Sequence, residues 1–139
     1  MKKYLLDNGV LVAYVKGRLG AVQLISPWIV AREVVTCMVV YGEAIEYFMG
    51  NAEFARNKAA LQTLMVEVIP LQLTYAVVER YAEVRRAMRP PYGLGLIGDI
   101  DTLIAATAME EGLTVVTLDG DFTRIPGLTV MRLDRAALQ

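Results

Sequence analysis

Carboxylates recur in this sequence where strands and helices begin or end. Asp7 closes KYLLD, Glu43 lies inside CMVVYGEAIEYFMG, Asp99 and Asp101 stand in front of the apolar run TLIAATA, and Asp119 and Asp121 follow the strand-like LTVVT. Taken singly, each has an ordinary explanation, because Asp before a helix caps it and Asp-Gly at 119–120 makes a turn. Taken together, they suit a hard dication such as Mg²⁺ or Mn²⁺, which takes oxygen ligands and serves phosphoryl chemistry. The chain has no histidine. That removes Ser/His/Asp and Cys/His nucleophiles, histidine acid–base pairs and nearly every zinc arrangement. Hydrolysis here must run on carboxylates, with metal-activated water as the natural nucleophile.

The spacing of neighbours indicates which acids turn inward. In a helix over 101–111, Ile104, Ala105 and Ala108 follow Asp101 at spacings that share its face, so Asp101 belongs to the core-facing stripe. Glu43 lies on the apolar stripe of Val39, Val40 and Tyr47, whereas Glu46 beside it reads as solvated. Asp99 shares a side with Asp101 if the backbone there is extended, and points about 200° away if it is helical. Should Asp7, Glu43, Asp101 and Asp119 meet, each close like-charge pair costs about 4 kcal/mol at roughly 4 Å and an effective dielectric of about 20. Several such pairs rival the whole stability of a domain, ~5–15 kcal/mol. Bound cations or raised pKa values are therefore required.

The elements that must carry these groups alternate. KYLLD reads as a buried strand, followed by a helix over roughly 9–17 that Gly17 stops. VVT at 34–36 is strand-like, and a helix then runs to about Met49, where Gly50-Asn51 breaks it. Residues 52–65 form another helix, EVIPL an extended piece, and Thr74 to Met88 an amphipathic helix with a basic end. RPPYGLGLIG, residues 89–98, is loop; a core helix follows from Asp101 to about Glu111 with Gly112 as its stop. LTVVT is a fully buried strand, and GLTVMRL, 127–133, offers one more. Alternating strands and helices predict a parallel sheet with helices on both faces, whose ligands bind at the carboxyl ends of the strands.

At 139 residues, 55% of them hydrophobic and 21% charged, the chain reads as one domain with a sizeable core. Its longest apolar stretches fall short of the ~18–20 residues of a membrane span. Asp7 also interrupts any signal-peptide run, so a soluble, cytoplasmic protein with no membrane contact is expected. The lone Cys37 has no disulfide partner and reads as a small buried hydrophobe. A net charge of −1 provides no global field for nucleic acid, so any such binding must use a local patch.

YLLDNGVLVAYVKG, VVYGEAIEYF and IGDIDTLIAATAMEEGLTVVTLDGDFTRIPGL, in that order, resemble the PIN-domain family, and within it the VapC-like toxins of toxin–antitoxin pairs. The resemblance spans nearly the whole chain and is most specific in the last third, where an acid precedes LIAATA, then a strand, then T-x-D and a DF-x-RIPGL run. Residues 50–90 match only in pattern. The resemblance implies a single PIN-like domain over 1–139, a three-layer α/β/α sandwich with a mostly parallel central sheet. It implies a Mg²⁺- or Mn²⁺-dependent endoribonuclease, a homodimer, and a protein antitoxin that covers the acidic site. Asp7, Glu43 and Asp101 take the family's principal acidic positions, Asp119 or Asp121 the fourth, and Asp99 is an additional candidate ligand.

The family usually continues its first acid as D-T-N or D-S-S, whereas here the run is Asp7-Asn8-Gly9. A missing hydroxyl at Gly9 implies the alternative, a catalytically weakened module that binds RNA or protein without cutting. Arg85, Arg86 and Arg89, with Tyr81 and Tyr92 nearby, are the candidate RNA-binding patch, through Arg's forked donors and ring stacking. The bland reading is a solvated face partly neutralised by Glu79 and Glu83. An aspartyl-phosphate enzyme also clusters acids at strand ends, but such sites use a late lysine and the last lysine here is Lys58. A mean hydropathy of +0.42 points to an exposed apolar patch for self-association or an antitoxin.

Overall fold

The computed structural model describes residues 1–139. Five parallel strands form one sheet: β1 (Tyr4–Leu6), β2 (Val34–Cys37), β3 (Pro70–Leu71), β4 (Thr114–Thr117) and β5 (Val130–Arg132), in the order β3-β2-β1-β4-β5. β1 occupies the centre, with Leu5 opposite Val35 on one side and Val115 on the other. Because every pairing is parallel, the carboxyl ends of all strands lie along one edge, where Asp7, Cys37 and Thr117 stand at or just beyond them. Leu5, Leu6, Val34, Val35, Val115 and Val116 are buried, as expected of a sheet covered on both faces.

Helices α1 (Asn8–Val15), α2 (Leu19–Val30), α3 (Met38–Met49) and α4 (Phe54–Leu64) connect β1 to β2 to β3, while α5 (Tyr75–Met88) and α6 (Asp99–Glu111) return the chain to β4. Right-handed crossovers put the two sets on opposite faces. α1 packs against α2, α3 and α4, and α5 lies along α6. The expected α/β/α sandwich is thus present, with a sheet that is parallel throughout.

Two differences from the sequence expectation matter. The sequence assigns no element between Gly17 and Val34, where Leu19–Val30 forms α2 around an internal Pro27. Proline removes its own N–H from the ladder and its ring crowds the carbonyl four residues back, but burial of Ala21 and Ile25 with stacking of Trp28 on Tyr4 at 3.9 Å holds the helix in place. Gly20 is required there, since a Cβ would fall 2.2 Å from the Ala137 carbonyl oxygen, where the 3-10 turn Arg135–Leu138 docks. The second difference is the start of α6. It begins at Asp99, two residues before the expected Asp101, and it ends as expected at Gly112, whose φ of 68° suits glycine.

Candidate active site

Asp7 follows β1 directly and caps α1, its Oδ1 accepting the Asn8 N–H at 2.8 Å. Its other oxygen, Oδ2, accepts the Thr117 hydroxyl at 2.6 Å, and Thr117 Oγ1 in turn accepts the Asp119 N–H at 3.0 Å. One buried hydroxyl at the end of β4 therefore fixes an acid on the neighbouring strand and the backbone of another acid on its own loop. Burial raises the Asp7 pKa and the nearby Asp119 charge raises it further, against the two hydrogen bonds, which lower it; the net direction is upward.

Glu43 reaches the same place from the middle of α3. It is half-buried, and its Oε1 is enclosed with no hydrogen-bond partner. Burial, then the charges of Asp7, Asp101 and Glu46, push it up to about 7. Asp101, the third residue of α6, is also half-buried; burial and the charges of Asp7, Asp119 and Asp121, with a carboxyl–carboxyl hydrogen bond to Asp119, push it up to about 6. Carboxylate oxygens of Asp101, Asp119 and Asp121 lie within 4.8 Å of one another. Asp119 Oδ1 also accepts the Asp121 N–H at 2.9 Å and starts the 3-10 turn Gly120–Arg124. The loop thus brings both Asp119 and Asp121 to Asp101, where the sequence left a choice between them.

Asp99 is directed elsewhere. With both residues inside α6, Asp99 and Asp101 diverge by two helical steps. The Asp99 carboxylate is taken by Arg85 in an ion pair and by the Tyr81 hydroxyl at 3.1 Å. Of the three arginines singled out in the sequence, Arg85 is thereby engaged, Arg86 lies 5.6 Å from the centre of the Tyr92 ring, and Arg86 and Arg89 are exposed. A Cβ on Gly9 would stand 3.0 Å from Leu118 Cδ1, a contact that a small shift of the leucine side chain relieves. Thr117 was missed as a site residue. Its signal was the hydroxyl two positions before Asp119 at the end of a buried strand, which sequence reading used only to end β4.

The donor set is all oxygen, comes from four separate segments and includes an enclosed oxygen without a proton donor. Together with acids held partly protonated near neutral pH, that is the chemistry of a hard-dication site. Asp101, Asp119 and Asp121 come close enough to share such an ion, with the charges of Asp7 and Glu43 beside them; Asp99 is tied to Arg85 instead.

Comparison with known proteins gives the same picture of the fold. The family model described as PIN domain matches residues 4–128. No curated protein matches the sequence. Among solved structures, the chain is similar to one from VapBC2 of Rickettsia felis bound to a DNA fragment from its promoter, with a TM-score of 0.82 and 21% identity over 94% of this chain and 98% of that one. DNA-bound VapBC from Salmonella typhimurium gives a TM-score of 0.81 at 21% identity, covering 95% and 98%. VapBC-5 from Mycobacterium tuberculosis, a toxin–antitoxin system, gives 0.69 at 20%, covering 96% and 100%.

Proposed function

The chain belongs to the PIN-domain family, and from that premise we propose that it is a metal-dependent endoribonuclease, the VapC-like toxin of a toxin–antitoxin pair. The observation that carries the reading is the convergence of Asp7, Glu43, Asp101, Asp119 and Asp121 at the carboxyl edge of the sheet. Asp101, Asp119 and Asp121 would hold Mg²⁺ or Mn²⁺, Asp7 and Glu43 would complete the acidic set around it, and Asp99 stands outside. When bound, the metal supplies a Lewis acid that activates water and stabilises an in-line displacement at a phosphodiester. The protein's own part is positional and electrostatic. Thr117 and the Asn8 N–H fix both oxygens of Asp7, so this ligand is oriented before any substrate arrives. Glu43 shares a proton near neutral pH and Asp101 takes one up in mildly acid solution while the pocket holds no positive charge, and a bound cation would displace both.

RNA is the proposed substrate, with the exposed Arg86 and Arg89 beside Tyr92 gripping its backbone. The whole of 1–139 acts as one domain in this reading. A protein antitoxin and a homodimer are its proposed partners, supported by the toxin–antitoxin context of similar structures and by exposed apolar residues such as Leu94, Leu96 and Ile100. No helix is long and apolar enough to cross a membrane, and the proposed setting is the cytoplasm. The alternative, a module that binds without cutting, took its motive from the missing hydroxyl at Gly9. The hydroxyl that Asp7 receives from Thr117 favours the nuclease.

Cleavage of total RNA by the purified protein with Mn²⁺, with EDTA, and as Asp101→Asn tests the proposal. Metal-dependent cutting that is lost in a folded Asp101→Asn variant is expected. Equal turnover by that variant would remove Asp101 from the mechanism, and silence of the folded unmodified protein would favour the binding module.

A further inference from the structure

Next to the acids lies a cavity of opposite character. It encloses about 160 Å³ where α1, the end of α3 and the Arg135–Leu138 turn meet, and Gly9, Lys16, Arg18, Tyr47, Leu118 and Arg135 are in its wall. Three of the segments that carry the acids also line it. Gly9 comes two residues after Asp7, Tyr47 one helical turn beyond Glu43, and Leu118 between Thr117 and Asp119. No Asp or Glu lines the cavity; Gln139 also lines it, and its main-chain oxygen accepts the Gly20 N–H at 2.9 Å.

Its cations are free. Lys16, Arg18 and Arg135 are exposed and none forms an ion pair. Arg80 and Arg85 on α5, by contrast, are neutralised by Glu83, Glu110 and Asp99. Lys16 Nζ donates to the Tyr47 hydroxyl at 3.1 Å and stands 5.3 Å from the ring centre, which holds the ammonium at the wall without cancelling its charge. Three unpaired cations beside five acids offset the repulsion a polyanion meets on approaching the pocket.

We propose that this cavity is a phosphate subsite that takes one backbone phosphate of the RNA strand flanking the phosphate that is cut. The inference rests on the nuclease reading above. At 160 Å³ the cavity is smaller than the ~300–1,000 Å³ of ordinary ligand pockets. A recess of that size with cations in its wall suits one hydrated phosphodiester. The subsite therefore sets affinity and register and is indifferent to sequence.

The test measures binding of a short unstructured RNA oligonucleotide to the full chain by fluorescence anisotropy over a salt series, in an Asp101→Asn background so that the RNA survives. The Lys16→Gln/Arg135→Gln pair is expected to raise Kd about tenfold or more and to reduce the slope of log Kd against log salt by about 0.7, the share of one phosphate on a single strand. Arg18→Gln alone moves both in the same direction by less, and decides the matter if the double variant fails to fold. Lys3→Gln, at the opposite edge of the sheet, leaves both unchanged. Wild-type Kd and slope in the folded variants overturn the subsite, as does an equal loss in Lys3→Gln. Metal-dependent RNA cleavage by the unmodified chain leaves the nuclease reading standing in either case. An unmodified chain that neither binds nor cuts RNA overturns both.

Discussion

Acidification stabilises the metal-free protein, the reverse of the usual behaviour of a protein whose carboxylates are paired. Raising Glu43 from its ordinary 4.5 to about 7 corresponds to about 3.4 kcal/mol at 1.36 kcal/mol per pH unit. Raising Asp101 from 3.8 to about 6 corresponds to about 3 kcal/mol on the same scale. These do not add, because the Asp101 charge is part of what raises Glu43 and Asp7 acts on both. Both side chains are also partly solvated, which screens the repulsion, so about 2–3 kcal/mol remains for the cluster. The sign follows from proton counting. Between about pH 4 and 7 the folded state binds more protons than the unfolded chain, so stability falls as pH rises. The stabilisation is complete below the unfolded values and is lost as pH climbs through about 6 and 7. For a chain of this size about 1 kcal/mol moves Tm by ~3–5 °C, so Tm in EDTA is expected to be about 10 °C higher near pH 5 than near pH 8. Saturating Mn²⁺ supplies the counter-charge and flattens the trend, and Glu43→Gln removes a large part of it. Thermal melts at the two pH values, with EDTA and with Mn²⁺, make the measurement. A Tm in EDTA that is flat or rises with pH would refute the convergence of these acids.

Further outcomes follow from the same geometry. Mg²⁺ or Mn²⁺ at about a hundred times its Kd stabilises the protein by about 2.7 kcal/mol, read as a Tm increase that Asp101→Asn diminishes. Thr117→Val removes the donor to Asp7 Oδ2; a hydrogen bond to a charged group is worth ~1.5–3 kcal/mol, so single-turnover cleavage falls about ten- to hundredfold with the fold retained. An unchanged rate would show that Asp7 needs no orientation from β4. Gly20→Ala forces a Cβ against the Ala137 carbonyl and lowers stability by about 1–3 kcal/mol in urea titrations; an unaltered midpoint would mean that the C-terminal turn does not dock on α2.

What the sequence disclosed depended on how local the determining interactions are. Buried strands such as LTVVT and stripes such as Asp101 with Ile104, Ala105 and Ala108 declare themselves within one window, and the structure has Val115, Val116, Ile104, Ala105 and Ala108 buried accordingly. The inward direction of Glu43 came from the same kind of stripe. α2 was given no element because the contacts that hold it, Tyr4 on Trp28 and the Arg135–Leu138 turn on Gly20, come from remote segments. The fate of Asp99 hung on two residues of helix start, the least certain part of any sequence reading, and on Arg85, fourteen positions earlier. The role of Thr117 and the cavity at Lys16, Arg18 and Arg135 depend on remote contacts in the same way. Their partners lie across the sheet or at the far end of the chain.

The hydrogen bond between Asp7 and Thr117 spans 110 residues, and β1 cannot complete its second pairing until β4 exists. On a ribosome adding about 5–20 residues per second, Asp7 is made several seconds before the hydroxyl that aims it, and before Asp101, Asp119 and Asp121. A nascent chain is consequently inert through most of its own synthesis. Its acids become one centre only when the last third emerges and the central strand is closed from both sides. If the chain is the nuclease proposed above, that late closure delays its activity until most of the chain has been made.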